Sequence, residues 1–293
     1  LEQKIRYCSL PEMVRDRFLW SNRSVVVAGT HGKTTTTSMV AWTLVEAGVD
    51  PSFLSGGVAR NFDASYRLGA GGVFVIEGDE YDSAFFDKTA KFLKYLPDIA
   101  VVGNLEFDHA DIYADFEAIR SAVRRLVTLV PRQGLLILGA DSPGAVDMTH
   151  GAPCRVTTFG LGETAEWRAT SLDLVSAGTT FTVEHRGTPV IDLRVPLVGE
   201  FNVRNVLAAF VVVSEIGLDA TTIAASVEML LSGDAVQRIV IAWHMGWEPA
   251  LEASGKRGPR PATACAPRSR PAAEGAGLCG LNRAHDRTGP AGS

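Results

Sequence analysis

One short stretch constrains this chain more than any other. Ser24-Val25-Val26-Val27-Ala28 is followed by Gly29-Thr30-His31-Gly32-Lys33-Thr34, and then by a helical pattern from about Lys33 to Ala47 that stops at Gly48. A short β-branched apolar run reads as a strand buried on both faces. A glycine just past the last periodic residue ends a helix. Strand, glycine-rich turn and helix in that order form the setting in which such a turn can cradle phosphate.

The residues of the turn suit that task. Gly29 and Gly32 let backbone N–H groups point inward with no Cβ in the way. The helix N-terminus adds partial positive charge. Lys33 can reach β- and γ-phosphates, the Thr34 hydroxyl can bind Mg²⁺, and Thr35 can add a phosphate hydrogen bond. The usual phosphate loop has four residues between its glycines. This one has two, because Val27 stands at the outer position. The bland alternative is an ordinary glycine turn with a chance Lys-Thr.

Further buried strands are expected at Val73–Ile76, Ile99–Val102 and Leu135–Leu138, with a helix from about Phe116 to Val130. Strands alternating with helices predict an α/β fold with a mostly parallel sheet flanked by helices. From Arg168 to Val195 three β-rich segments are separated by Ser176-Ala177-Gly178 and His185-Arg186-Gly187, which predicts a small antiparallel β meander. Helical spacing returns at Asn202–Ile216 and Asp219–Leu231, with Asp219 as N-cap. Residues 1–23 read as a linker or lead-in helix.

Two polar segments follow directly on strands, where a parallel sheet binds its ligands. The first is Glu77-Gly78-Asp79-Glu80-Tyr81-Asp82, with Glu77 the best Mg²⁺ ligand; the alternative is a solvated acidic loop. The second is Asn104-Leu105-Glu106-Phe107-Asp108-His109. There His109 could ligate a second metal with Asp108 orienting it, or could simply be solvated. Later, Gly199–Asn205 opens a helix with Asn202 and Asn205 three apart on one face. An amide can pair with the donor–acceptor edge of adenine; Asn202 could equally be a plain N-cap.

Composition excludes several classes. A net charge of −5 with 21% charged residues offers no polyanion-binding surface, so a nucleic-acid partner is not expected. The four cysteines, Cys8, Cys154, Cys265 and Cys279, form no C-x-x-C pair, which argues against a disulfide framework or zinc site and fits a reducing cytoplasm. No apolar run reaches the roughly 20 residues of a membrane span. From Pro249 to Ser293 the chain is rich in Ala, Gly, Pro and Arg, with seven Lys/Arg against three Asp/Glu. Such a segment buries too little apolar surface to offset its ordering entropy. It reads as a disordered tail or as the product of a shifted reading frame.

With these elements in order, the chain resembles the Mur ligase family of ATP-dependent amide ligases of peptidoglycan metabolism, over about residues 1–231. The resemblance rests on GTHGKTT, the acidic cluster, N-x-x-x-DH and G-x-x-N-x-x-N. It implies that Gly29, Thr30, His31, Gly32, Lys33, Thr34 and Thr35 bind ATP with Asn202 and Asn205 at the adenine. It places Mg²⁺ on Thr34, Glu77 and His109, makes Lys33 and His109 catalytic, and puts Asn61 and Asp82 at the substrate. The segments Glu77–Lys88 and Asn104–Tyr113 look most like the branch that joins UDP-N-acetylmuramate to the murein tripeptide L-alanyl-γ-D-glutamyl-meso-diaminopimelate through an acyl phosphate, in cell-wall recycling. The L-alanine-adding branch is the nearest sister. Other branches carry a carbamylated lysine where Val123 stands here by count. The expected organisation is a linker over 1–23, a central ATP-binding domain over 24–231, and an atypical tail over 232–293. Because the family has further N- and C-terminal domains, weak ATP affinity and no ligation are expected of this chain alone. A catalytically dead nucleotide-binding fragment and a generic P-loop NTPase are the other readings; the oligomeric state is not legible.

Overall fold

The computed structural model describes residues 7–59, 61–107, 113, 115–176 and 178–229. The expected metal ligand His109, its neighbour Asp108 and the whole 232–293 segment lie outside them.

The strands run β1 Arg23–Ala28, β2 Ser52–Ala59, β3 Ala64–Arg67, β4 Val73–Glu77, β5 Asp82–Ala84, β6 Asp87–Ala90, β7 Ile99–Val102, β8 Leu135–Gly139, β9 Arg155–Gly160, β10 Trp167–Val175, β11 Gly178–His185 and β12 Thr188–Val195. The α-helices are α1 Leu10–Val14, α2 Lys33–Glu46, α3 Phe116–Leu129, α4 Pro143–Val146, α5 Glu200–Ile216 and α6 Ala220–Met229. Ten strands form one sheet in the order β12-β11-β10-β9-β8-β7-β1-β4-β2-β3. Pairings from β2 through β4, β1, β7, β8 and β9 to β10 are parallel. The expected meander, β10–β12, is antiparallel, and it extends the parallel sheet at one edge instead of standing apart. β5 and β6 form a separate hairpin.

The apolar runs alternate between two cores, as strands covered on both faces must. Val25, Val27, Val75, Val101 and Ile137 face α2, α5 and α6. Val26, Ala28, Ile76, Val102 and Leu138 face the other way, onto α3 and the lead-in helices. Removing a large side chain from either layer, such as Ile137→Ala, would cost about 2–5 kcal/mol.

α2 opens on four threonines, a poor helix sequence by propensity. Burial of Thr36, Thr37, Met39, Val40, Ala41 and Leu44 between sheet and helices holds it instead. It ends as expected, with Gly48 at φ 76°. The lead-in helix is set by a capping box: the Ser9 side chain accepts from the Glu12 N–H, and Glu12 accepts from the Ser9 N–H. The helix and its continuation to Leu19 bury Val14 and Leu19 against the sheet. Asp115 caps α3 by accepting from the Ala118 N–H, and Asp219 accepts from the Thr222 N–H ahead of α6.

Candidate active site

Register brings the polar segments together. β1 lies between β4 and β7, with Val27 opposite both Glu77 and Val101. Gly29, Glu77 and Asn104 therefore leave the sheet side by side at its C-terminal edge. The loop from Gly29 turns into α2 over this edge. A cavity of about 520 Å³ opens here, lined among others by His31, Lys33, Thr35, Asn104, Asp141 and Asn205.

The loop is tied down on one side. The Thr30 N–H donates to the Asn104 carbonyl, and the His31 N–H to the Asn104 amide oxygen at 2.8 Å. The Thr30 hydroxyl accepts from the Glu106 N–H and donates to the Glu106 carbonyl. That hydroxyl is thus committed to loop architecture. The His31 imidazole is largely exposed, 3.9 Å from Glu106. Gly29, at φ 126°, leaves no room for a Cβ beside the Asn104 carbonyl.

The acidic segment is not a solvated run. Glu77 accepts from the Gly56 N–H at 2.7 Å and from the Thr34 hydroxyl. Burial pushes its carboxyl above the usual range, against the Gly56 and Thr34 hydrogen bonds and the nearby Lys33 charge. Asp79 pairs with Lys91, and Asp82 with Lys88 across the β5–β6 hairpin. Glu80 meets Lys33 at 3.0 Å. The Tyr113 hydroxyl donates to the Glu80 carbonyl, and burial, then Glu80, Asp79 and Asp82, push its pKa up to about 12.

Among the described residues no three His, Cys, Asp or Glu converge as a ready-made metal cage. The Thr34 hydroxyl beside the half-buried Glu77 carboxylate nonetheless fits Mg²⁺, which takes one or two protein oxygens and keeps water and phosphate for the rest. A carboxylate disfavoured by burial is one that a divalent cation would restore to its charged form.

The two asparagines part company. The Asn205 amide lies against Gly32 and accepts from the Thr36 hydroxyl at 3.4 Å. Asn202 is neither the N-cap, a position Gly199 fills, nor a wall of the cavity; its amide donates back to the Val198 carbonyl at 3.0 Å. Asn61, at the β2–β3 connection, has its amide nitrogen buried without a hydrogen-bond partner. Val123 is buried in α3, beneath the loop.

Sequence reasoning missed two charged cavity residues, Asp141 and Arg204. Asp141 follows β8, the same signal that marked Glu77 and Asn104. It accepts from the Leu161 and Gly162 N–H groups and pairs with Arg204 of α5 at 2.6 Å. Arg204 sits between the two asparagines that drew attention.

A mostly parallel sheet with a strand–loop–helix turn of the phosphate-loop type and an acid beside it defines an α/β protein of the phosphate-loop class. The model of the Mur ligase middle domain matches residues 27–213, and the chain belongs to the Mur ligase family. It is similar to the UDP-N-acetylmuramate–L-alanyl-γ-D-glutamyl-meso-2,6-diaminoheptandioate ligase of Haemophilus influenzae, with 38% identity over 74% of this chain and 48% of that protein. To the UDP-N-acetylmuramate–L-alanine ligase of Chlorobium phaeovibrioides it is 40% identical over 72% of this chain and 44% of that protein. Among solved structures, the UDP-N-acetylmuramate:L-alanyl-γ-D-glutamyl-meso-diaminopimelate ligase of Neisseria meningitides superposes with a TM-score of 0.71 at 38% identity, over 77% of this chain and 71% of that one. The chain spans about half the length of the curated relatives it matches.

Proposed function

We propose that this chain carries the ATP-binding core of an amide ligase that joins the lactoyl carboxylate of UDP-N-acetylmuramate to the amine of the tripeptide L-alanyl-γ-D-glutamyl-meso-diaminopimelate. The observation that carries the reading is the convergence of Lys33, Thr34 and Glu77 at one edge of the sheet. The similarity to ligases of that name supports the choice of substrates.

The work of the chain's own residues follows from their placement. Inward N–H groups of the loop and the start of α2 meet phosphate oxygens. Lys33 neutralises charge on the transferred phosphoryl group. Thr34 and Glu77 would hold Mg²⁺, which when bound screens the triphosphate. Asn205 sits at the back of the loop, where it positions the nucleotide; Asn202 reaches the base only if it exchanges its bond to Val198. Asn61 offers a free amide donor to the substrate, whereas Asp82 reaches it only by leaving Lys88. His109 remains the second metal ligand and catalytic partner that the sequence implies. No helix among the described residues is long and apolar enough to cross a membrane; a cytoplasmic setting goes with the ligase reading.

The test is calorimetric titration of the chain with ATP and Mg²⁺, then incubation with UDP-N-acetylmuramate and either the tripeptide or L-alanine. Amide product is read by mass spectrometry. Product with the tripeptide supports the reading. Product with L-alanine alone establishes the second reading, which the similarity to L-alanine ligases favours. Nucleotide binding with neither product is the outcome the sequence leads one to expect of this chain alone and supports the ATP-binding core without deciding its substrates; no nucleotide binding overturns the reading.

A further inference from the structure

Lys33 has no proton to spare. Its Nζ donates to the Gly29 carbonyl at 2.8 Å, to the Thr30 carbonyl at 3.0 Å and to Glu80 Oε1 at 3.0 Å. Both side chains are nearly out of water, at 12% and 10% exposed. The ammonium that would meet a phosphate is therefore folded back on its own loop and neutralised. The other carboxylates of the segment have different partners. Glu77 takes Gly56 and Thr34, Asp79 takes Lys91, and Asp82 takes Lys88. The Tyr113 hydroxyl meanwhile holds the Glu80 backbone.

We propose that Glu80 is a positioning residue for Lys33: it holds the ammonium on the loop in the nucleotide-free protein and releases it to the arriving triphosphate. The inference rests on the nucleotide reading above. Phosphate oxygens and Glu80 compete for the same donors. A triphosphate offers more charge than one carboxylate and wins, but breaking the pair subtracts from its affinity. The pair also spares the loop an uncompensated buried cation while it waits. Glu80 in this role touches neither substrate nor metal; it acts through Lys33.

The test variant is Glu80→Gln, which keeps shape and one acceptor and removes the charge. Calorimetric titration of the full chain with Mg·ATP should give a Kd about fivefold lower than for the unsubstituted protein. Without nucleotide, acetylation of Lys33 by an amine-directed ester, read by peptide mass spectrometry, should be faster in the variant. A merely structural role would weaken binding instead. Equal or weaker ATP binding in the variant overturns the proposal, and weaker binding together with lost Mg²⁺ dependence makes Glu80 a metal ligand. If the unsubstituted chain binds no Mg·ATP, the nucleotide reading and the release step both fail. The acetylation rate still decides the hold, and an unchanged rate overturns it.

Discussion

The Asn205 amide oxygen occupies the space where a side chain on Gly32 would begin. Gly32 also stands at φ 80°, in the left-handed region. One residue thus satisfies two demands at once: the turn into α2, and close approach of α5 to the back of the phosphate loop. The Gly-x-x-Gly-Lys-Thr pattern and the Gly-x-x-Asn-x-x-Asn pattern, more than 160 residues apart, are two halves of one contact.

Gly32→Ala should therefore destabilise the protein by about 1–2 kcal/mol through backbone strain alone, and should weaken ATP binding more than tenfold. Overlap with Asn205 adds to the strain. Shortening the partner in the double variant with Asn205→Ala should recover part of the stability, because touching residues do not contribute additively. Urea denaturation of the four proteins checks this. Simple additivity would separate the two residues.

The strands legible as continuous apolar runs are those buried on both faces. β1, β4, β7 and β8 are continuous apolar runs because helices cover them on either side. β2 and β9 escaped notice because their segments, Ser52–Ala59 and Arg155–Gly160, mix Ser, Gly and Thr with fewer apolar residues. In the candidate site, Lys33, Thr34 and Glu77 were legible because each sits where a strand or helix ends. Asp141 carries the same mark, but a single acid draws less attention than a cluster. The Lys33–Glu80 and Gly32–Asn205 contacts were not legible, since spacing along the chain says nothing about which side chains meet across the sheet's edge.

Glu77 should trade stability for function. Its folded pKa is raised, chiefly by burial, so the folded state binds its proton more tightly than the unfolded chain does. Stability linked to this group is greatest below its unfolded pKa and is lost as pH rises through the folded value. Glu77→Gln should thus raise the melting temperature of the metal-free protein at pH 7 while lowering Mg²⁺-dependent ATP affinity at least tenfold. Melting curves at pH 4 and pH 7 check the first part: the gain belongs at pH 7 and should shrink at pH 4. A lower melting temperature at pH 7 would show that the hydrogen bonds from Gly56 and Thr34 outweigh the desolvation.

Val123 tests whether the space under the loop accepts a charged group. It is 3% exposed and packs in the core with Ile119, Leu105 and Phe92. Val123→Lys buries an ammonium there and should cost about 3 kcal/mol or more. Val123→Met, which adds volume without charge, should cost under about 3 kcal/mol. Equal losses in chemical denaturation would mean that volume, not charge, sets the limit.

The Asp141–Arg204 pair should anchor α5 to the end of β8 in a pH-dependent way. Burial works to raise the Asp141 pKa, but the Leu161 N–H, Arg204 and the Gly162 N–H together outweigh it and hold the carboxyl below its ordinary value. Its folded pKa is therefore lower than its unfolded one. The stability it contributes is present above the unfolded value of about 3.9 and is lost as pH falls through the folded value. Asp141→Asn removes the charge and turns an amide N–H₂ toward groups that are all donors. It should cost about 1–3 kcal/mol at pH 7. At pH 3, below the unfolded value, the unfolded chain takes up the proton and part of this stability is lost, so the gap in urea midpoints should narrow. The comparison isolates this one group, because every other titrating carboxylate is common to both proteins. A gap of equal size at both pH values would show that Asp141 acts through the shape of its hydrogen bonds and not through its charge.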